Sequence, residues 1–231
     1  MHGETGLDGV ELPIPTRPLD EGHAVGWIVD TIMASEPDTV TLVATAPLTN
    51  IALAVRLEPR IVGRVHEIVL MGGGYHVGNR TPVAEFNVSC DPEAAHVVFN
   101  ESWPLTMVGL DVTHQALCTH DVQAELAAAN SRLAPAVNGL MDFFRSVYQD
   151  KQAFPDPPTH DPCAVAYVID PSLVRTVACP VDVELTGTLT CGMTVADLRA
   201  QAPADCTTRV ATGLDFDGFW NLVADALRRI G

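Results

Sequence analysis

The chain has 231 residues, 47% of them hydrophobic and 18% charged, which is ample apolar surface for a sizeable core and no basis for disorder. Acidic residues outnumber basic ones by 29 to 13, giving a net charge of -16 that repels phosphate backbones and anionic lipid. A broad nucleic-acid or membrane footprint is thereby excluded, whereas a neutral or cationic small ligand, or a metal ion, suits the charge.

No apolar run approaches the about 18 residues that span a bilayer, and the start Met1-His2-Gly3-Glu4 carries neither a basic nor an apolar leader region. A cytoplasmic protein is expected. The six cysteines (90, 118, 163, 179, 191 and 206) contain no CxxC pair, and several sit inside apolar runs. They read as buried thiols rather than as zinc ligands or a disulfide scaffold.

Segments of two kinds alternate along the chain. Val40–Ala46 is a β-branched run of strand length, followed after Pro47 by a helical pattern over Leu48–Leu57, with Thr49 or Asn50 near its start and Pro59 beyond its end. Glu67–Met71 is a second apolar strand, stopped by Gly72-Gly73-Gly74. Asp91-Pro92 opens a helix through about Phe99, with Asp as the cap and Pro in the first turn. Leu105–Val112 reads as a third strand that ends on Asp111, Thr113 and His114. Asp121 to about Asp150 is helical and broken by Pro135, and Cys163–Ile169 is a helix after His160-Asp161-Pro162. Pro180–Leu189 and Thr208–Leu214 are late strands, and Gly218–Ile230 closes the chain as a helix. Strands apolar throughout, alternating with helices, predict an α/β fold: an open, mostly parallel sheet flanked by helices, in a single domain over 1–231.

In such a sheet the ligand crevice lies at the carboxyl ends of the strands. Thr45, the triple glycine after Met71, and Asp111 with His114 all occupy such ends. The glycines permit close backbone approach but lack GxGxxG or GK[ST] spacing, so they read either as a ligand loop or as a tight turn. Glu85-Phe86-Asn87 offers a carboxylate and an amide that converge on vicinal hydroxyls if the segment is extended. It otherwise reads as a solvated loop. Asp161 is either a helix cap, which the local pattern favours, or an oxygen ligand for a hard cation with His160 beside it as general acid. His23, His66, His96 and His120 read as helix or surface residues.

Taken together, TLVATAPLTNIALAVRLEPRI, VHEIVLMGGGYHVGNRTPVAEFNVSCDPEAAHVVFNESWPLTMVGLDVTHQAL, HDPCAVAYVIDPSLV and VELTGTLTCGMTVAD resemble the nucleoside hydrolase family, in particular its inosine–uridine-preferring group. The resemblance covers essentially the whole chain. It implies hydrolysis of the bond between ribose and a purine or pyrimidine base, with one Ca²⁺ orienting the water and the ribose hydroxyls. The transition state is then a ribosyl oxocarbenium. By the same resemblance Thr45 lends a main-chain carbonyl and Asp161 a carboxylate to the calcium, and His160 protonates the leaving base. Asn79, Glu85 and Asn87 hold the ribose hydroxyls, with Met71 and Phe86 against them, while His2 and Tyr148 lie around the base. Close relatives carry a tyrosine where this chain has Phe144. Small-molecule nucleosides are the expected partners, and a homo-oligomer, dimer or tetramer, is the expected assembly.

One departure stands out. The family begins with a DxDxxxDD-type cluster that supplies most calcium carboxylates and the base, and no such cluster occurs here; Asp8 and Asp20 sit at no Asp-rich strand end. The chain aligns from the interior of the family, with the N-terminal strands missing. Weak calcium binding, exposed apolar faces and an inactive, aggregation-prone chain are the expectation, with a non-catalytic riboside-binding or oligomer partner as the alternative.

Overall fold

The computed structural model describes residues 8–11, 14–152 and 154–230, the side chains of 149–152 excepted. In chain order the elements are α1 (Ala24–Ala34), β1 (Val40–Ala44), α2 (Thr49–Leu57), β2 (Val65–Met71), α3 (Phe86–Cys90), α4 (Pro92–Phe99), β3 (Leu105–Val108), α5 (Leu110–Thr113), α6 (His120–Ala127), α7 (Ala134–Gln152), α8 (Asp161–Ile169), β4 (Val174–Ala178), β5 (Val181–Val183), β6 (Thr194–Ala196), β7 (Thr208–Leu214) and α9 (Phe216–Ile230). They fall into two compact units: Met1–Asp20 with His114–Thr159 and Asp215–Gly231, and Glu21–Thr113 with His160–Leu214.

The second unit holds a five-stranded sheet in the order β1-β2-β3-β7-β4. β1, β2, β3 and β7 run parallel, and β4 is antiparallel to β7. The expected open, mostly parallel sheet is therefore present. The reason lies in β2 and β3, whose Ile68–Met71 and Leu105–Val108 are buried on both faces. One face packs Ile68, Leu70, Leu105, Met107 and Val210 against Ile32, Val55, Val98 and Trp103 from α1, α2 and the α4–β3 segment. Trp103 is 1% exposed and donates its indole N–H to the Val98 carbonyl at 2.9 Å. α8 packs against β2 and β4. A two-stranded sheet of β5 and β6 completes the unit.

Several boundaries differ from expectation, each for a local reason. The third strand stops at Val108 because Gly109 turns the chain into α5, so Asp111 and Thr113 stand on a helical turn rather than a strand end. Pro135 does not break a helix but sits in the first turn of α7, where its missing N–H costs nothing. Of Pro180–Leu189 only Val181–Val183 is strand. α1, β4 and β6 were not anticipated. α1 escapes because its cap is the His23 ring, whose Nδ1 accepts from the Val25 amide at 3.2 Å, in place of a Ser, Thr, Asn or Asp. No helix among the described residues is long and apolar enough to cross a membrane.

The first unit joins α6 and α7 through the buried Arg145. Its guanidinium pairs with Asp156 and donates to the Cys118 carbonyl at 2.8 Å and to Gln123 at 2.9 Å. Phe219 and Trp220 of α9 pack edge to face 5.0 Å apart.

Candidate active site

At the carboxyl end of β2 the chain leaves the sheet through Met71 and the three glycines, all buried. Gly73 has φ +72, and a Cβ there would lie 2.8 Å from Thr194 Oγ1 and 2.9 Å from Met107 Sδ, so only glycine fits. The backbone groups this turn exposes are then captured. Gly73 N donates to Glu85 Oε2 at 3.0 Å, and the Gly73 carbonyl accepts from Leu110 N at 2.9 Å. Gly74 N donates to Thr194 Oγ1 at 2.9 Å, and that hydroxyl donates back to the Gly74 carbonyl at 2.8 Å. Asp111 accepts from the amides of Tyr75 at 2.7 Å and His76 at 3.2 Å, with His76 Nδ1 2.9 Å away. The turn is thus locked by Glu85, Leu110, Thr194 and Asp111, a geometry that both the ligand-loop and the tight-turn readings of the sequence allow.

Glu85 is the centre of this network. It caps α3, accepting from the Val88 amide at 3.2 Å on the same Oε2 that receives Gly73, and it is 2% exposed. Burial pushes its carboxyl above the usual carboxylate range, and the charge of Asp161 adds to that. The amides of Asn87, Gly73 and Val88 pull the other way. Asn79 and Asn87 are fixed from the same loop. Asn79 Oδ1 accepts from Phe86 N at 2.8 Å, and Asn87 Nδ2 donates to the Met71 carbonyl at 3.0 Å. Phe86 stays 50% exposed beside them. Glu85-Phe86-Asn87 is not an extended segment, as convergence of its side chains would require from sequence alone; Phe86 and Asn87 begin a helical turn, and the chain folding back on Met71 brings the groups together.

His160 and Asp161 open α8. The structure makes His160 the residue before the helix, without a side-chain capping bond, and Asp161 the first helical residue, so the cap reading of Asp161 is not what the fold shows. His160 Nδ1 lies 2.8 Å from the hydroxyl of the fully buried Thr113. Thr45 follows β1 and is exposed. Tyr148 belongs to the first unit, where it is buried on α7 with its ring edge-on to Phe154 at 6.0 Å, and burial raises its phenol. Phe144 is half-buried one turn earlier. His2 lies outside the described residues.

Thr113 and Thr194 are the members that sequence reasoning did not pick out as site residues. No sequence signal marks Thr194, because only the fold turns its hydroxyl inward at 1% exposure and Val195 outward at 46%, the reverse of an ordinary half-buried strand.

The donors assigned to calcium by resemblance do not make a site of their own. Calcium takes about six to eight oxygens. Among the described residues no three His, Cys, Asp or Glu side chains lie together as a metal-holding group, and Asp161 and the Thr45 carbonyl fall short of that number. No chemical step is therefore routed through the ion.

The family model for inosine-uridine preferring nucleoside hydrolases matches residues 1–221. The chain is 56% identical to the inosine-uridine preferring nucleoside hydrolase of Crithidia fasciculata, over 100% of this chain and 74% of that protein. To the protein of the same description from Leishmania major it is 58% identical, with the same coverage. The solved purine-preferring ribonucleoside hydrolase of Gardnerella vaginalis superposes with a TM-score of 0.89 at 32% identity, over 99% of this chain and 73% of that one. The chain belongs to the inosine-uridine preferring nucleoside hydrolase family.

Proposed function

We propose that the chain cleaves the N-glycosidic bond of purine and pyrimidine nucleosides, inosine and uridine among them, releasing ribose and the free base. The observation that carries this is the pre-set polar group around the glycine turn: Asn79, Glu85 and Asn87 are each fixed by a backbone partner before any ligand arrives. Groups held in place this way lose little entropy when they bind vicinal hydroxyls. The ribose is thus gripped by Asn79, Glu85 and Asn87, with Phe86 against the sugar. As the bond from C1′ to the base nitrogen breaks, its electron pair leaves with the base, which takes a proton from His160, while a water adds to the positively charged C1′ and gives up a proton to solvent, leaving ribose. Thr113 holds Nδ1 of that ring, so Nε2 delivers the proton.

Calcium dependence, a cytoplasmic location and a dimeric or tetrameric assembly belong to the same proposal. The cysteine pattern supports the location, with Cys118, Cys163 and Cys179 buried as in a reduced compartment. A second reading, a riboside-binding protein without turnover, is favoured by the short oxygen donor set described above.

The test is release of hypoxanthine from inosine and uracil from uridine, with and without added calcium, by the chain and its His160→Ala variant. The reading expects turnover that falls about 10²–10⁴-fold in the variant. Binding without release would select the second reading, and absence of both would overturn the ribose site.

A further inference from the structure

The β5–β6 hairpin contributes nothing to the ribose grip directly, yet it reaches the grip from both flanks. On one side Thr194 of β6 brackets Gly74, accepting from its amide at 2.9 Å and donating to its carbonyl at 2.8 Å across 120 residues of sequence. Its methyl and hydroxyl also fill the space beside Gly73 where a side chain would otherwise sit. On the other side Met193 forms an isolated bridge with Ala84, the residue before Glu85. The backbone of Gly192, at φ +83, comes so close to Ser89 that a Cβ would lie 3.1 Å from the Ser89 Cα. One hairpin therefore braces the residue that follows the Glu85 donor Gly73 and the chain that bears Glu85.

We propose that Thr194 is a positioning residue for the ribose-binding site: by holding both polar groups of Gly74 and packing beside Gly73 it fixes the torsions at Gly73, and these aim the Gly73 N–H of the preceding peptide at Glu85 Oε2 and so set the orientation of that carboxylate. A left-handed residue such as Gly73 is held by neither helix nor strand geometry, and its orientation depends on the bonds to either side. Leu110 holds the Gly73 carbonyl, and Thr194 holds both polar groups of Gly74. A valine at position 194 would keep the packing and leave a buried N–H and carbonyl to find other partners, which the peptide achieves by rotating. The rotation changes the torsions at Gly73, and through them the preceding peptide, whose N–H then turns away from Glu85. Asp111 acts one residue further on, at Tyr75 and His76, and does not substitute for this bond.

The proposal depends on the ribose reading of Glu85 only in its functional arm, and the experiment separates the two. In the unliganded chain, amide hydrogen exchange is followed at Gly73 and Val88, whose N–H groups both donate to Glu85 Oε2. Thr194→Val is expected to lower protection at both by about tenfold or more while Val69 and Leu70 of β2 stay unchanged, and Thr194→Ser is expected to restore it. Should Thr194→Val fail to fold, Thr194→Cys, which keeps a weak donor at similar volume, takes its place with the same direction expected. Loss of protection at Gly74 alone, with Gly73 and Val88 as in the parent chain, overturns the proposal, because Thr194 would then only satisfy its own partner.

The functional arm is a double-mutant cycle on inosine affinity. Thr194→Val should weaken binding about tenfold beside Glu85 and less than about twofold in a Glu85→Gln background. Additive losses overturn the positioning role. If the parent chain binds no inosine, the ribose reading falls, and the exchange result alone decides Thr194.

Discussion

At the scale of single residues, the site depends on side chains whose task is to hold other groups. Thr113 is fully buried and offers its hydroxyl to His160 Nδ1 at 2.8 Å. Thr113→Val keeps the packing and removes that bond, so turnover of inosine should fall about fivefold to tenfold, the worth of one hydrogen bond of ~1 kcal/mol, with melting nearly unchanged. Equal turnover would show that His160 is oriented by other contacts. Gly73→Ala is a harsher change. It forces a side chain to φ +72 and to 2.8 Å from Thr194 Oγ1, and should destabilise the protein by about 1–3 kcal/mol, read as a lower denaturant midpoint. Retained stability would mean that the glycine turn is not the locked structure described above. The thiols divide by environment. Burial pushes Cys163 up to about 12 and Cys118 up to about 11, whereas Cys90 and Cys191 are exposed. Alkylation at pH 8 followed by peptide mass spectrometry should mark Cys90 and Cys191 and spare Cys163 and Cys118, because only the thiolate reacts. Early labelling of Cys163 would indicate an opened second unit.

At the scale of elements, α4 shows how directly sequence becomes structure. Asp91 accepts from the Ala94 amide at 3.0 Å with Pro92 behind it, as its Asp-Pro pair implies, and it also takes a hydrogen bond from Thr49. Asp91→Ala should cost about 0.5–2 kcal/mol in urea unfolding, chiefly from the uncapped helix. The buried Arg145 is the costlier element to disturb. Arg145→Ala strands Asp156 and the Cys118 carbonyl and should destabilise the first unit by about 3–5 kcal/mol, while Arg145→Met, which keeps much of the volume, should cost less. A cost below about 1 kcal/mol for the alanine variant would show that the network contributes no net stability. Legibility of the elements follows the same physics. The strands β1, β2 and β7 and the capped helices announce themselves through apolar runs and Asp-Pro or Thr signals. α1 does not, since a histidine caps it, and β3 was read too long because Leu110 and Val112 extend its apolar run into a helical turn. Of the proposed site residues, Glu85, Asn87 and His160 carry chemistry that sequence can single out, and Asn79 is reached only through the family resemblance. Thr113 and Thr194 do not, because their roles exist only once α8 meets α5 and the hairpin meets the glycine turn.

At the scale of the whole molecule, Asn79, Glu85 and Asn87, proposed to hold the ribose, and His160, proposed to protonate the base, all belong to the second unit, and Tyr148 belongs to the first. The net charge of -16 favours an uncharged nucleoside over a nucleotide, whose phosphate the surface field would repel. Within the second unit the Gly73 and Val88 amides bond a single carboxylate, Glu85, while Leu110 of α5 and Thr194 of the β5–β6 hairpin hold the glycine turn that presents the first of them. The central claim is that this carboxylate binds the riboside. Its most direct measurement is a calorimetric titration of the chain and its Glu85→Gln variant with inosine. A saturable heat from the parent chain, weakened at least about tenfold in the variant, is the predicted result. The same heat from both proteins, or none from the parent chain at millimolar inosine, would contradict it.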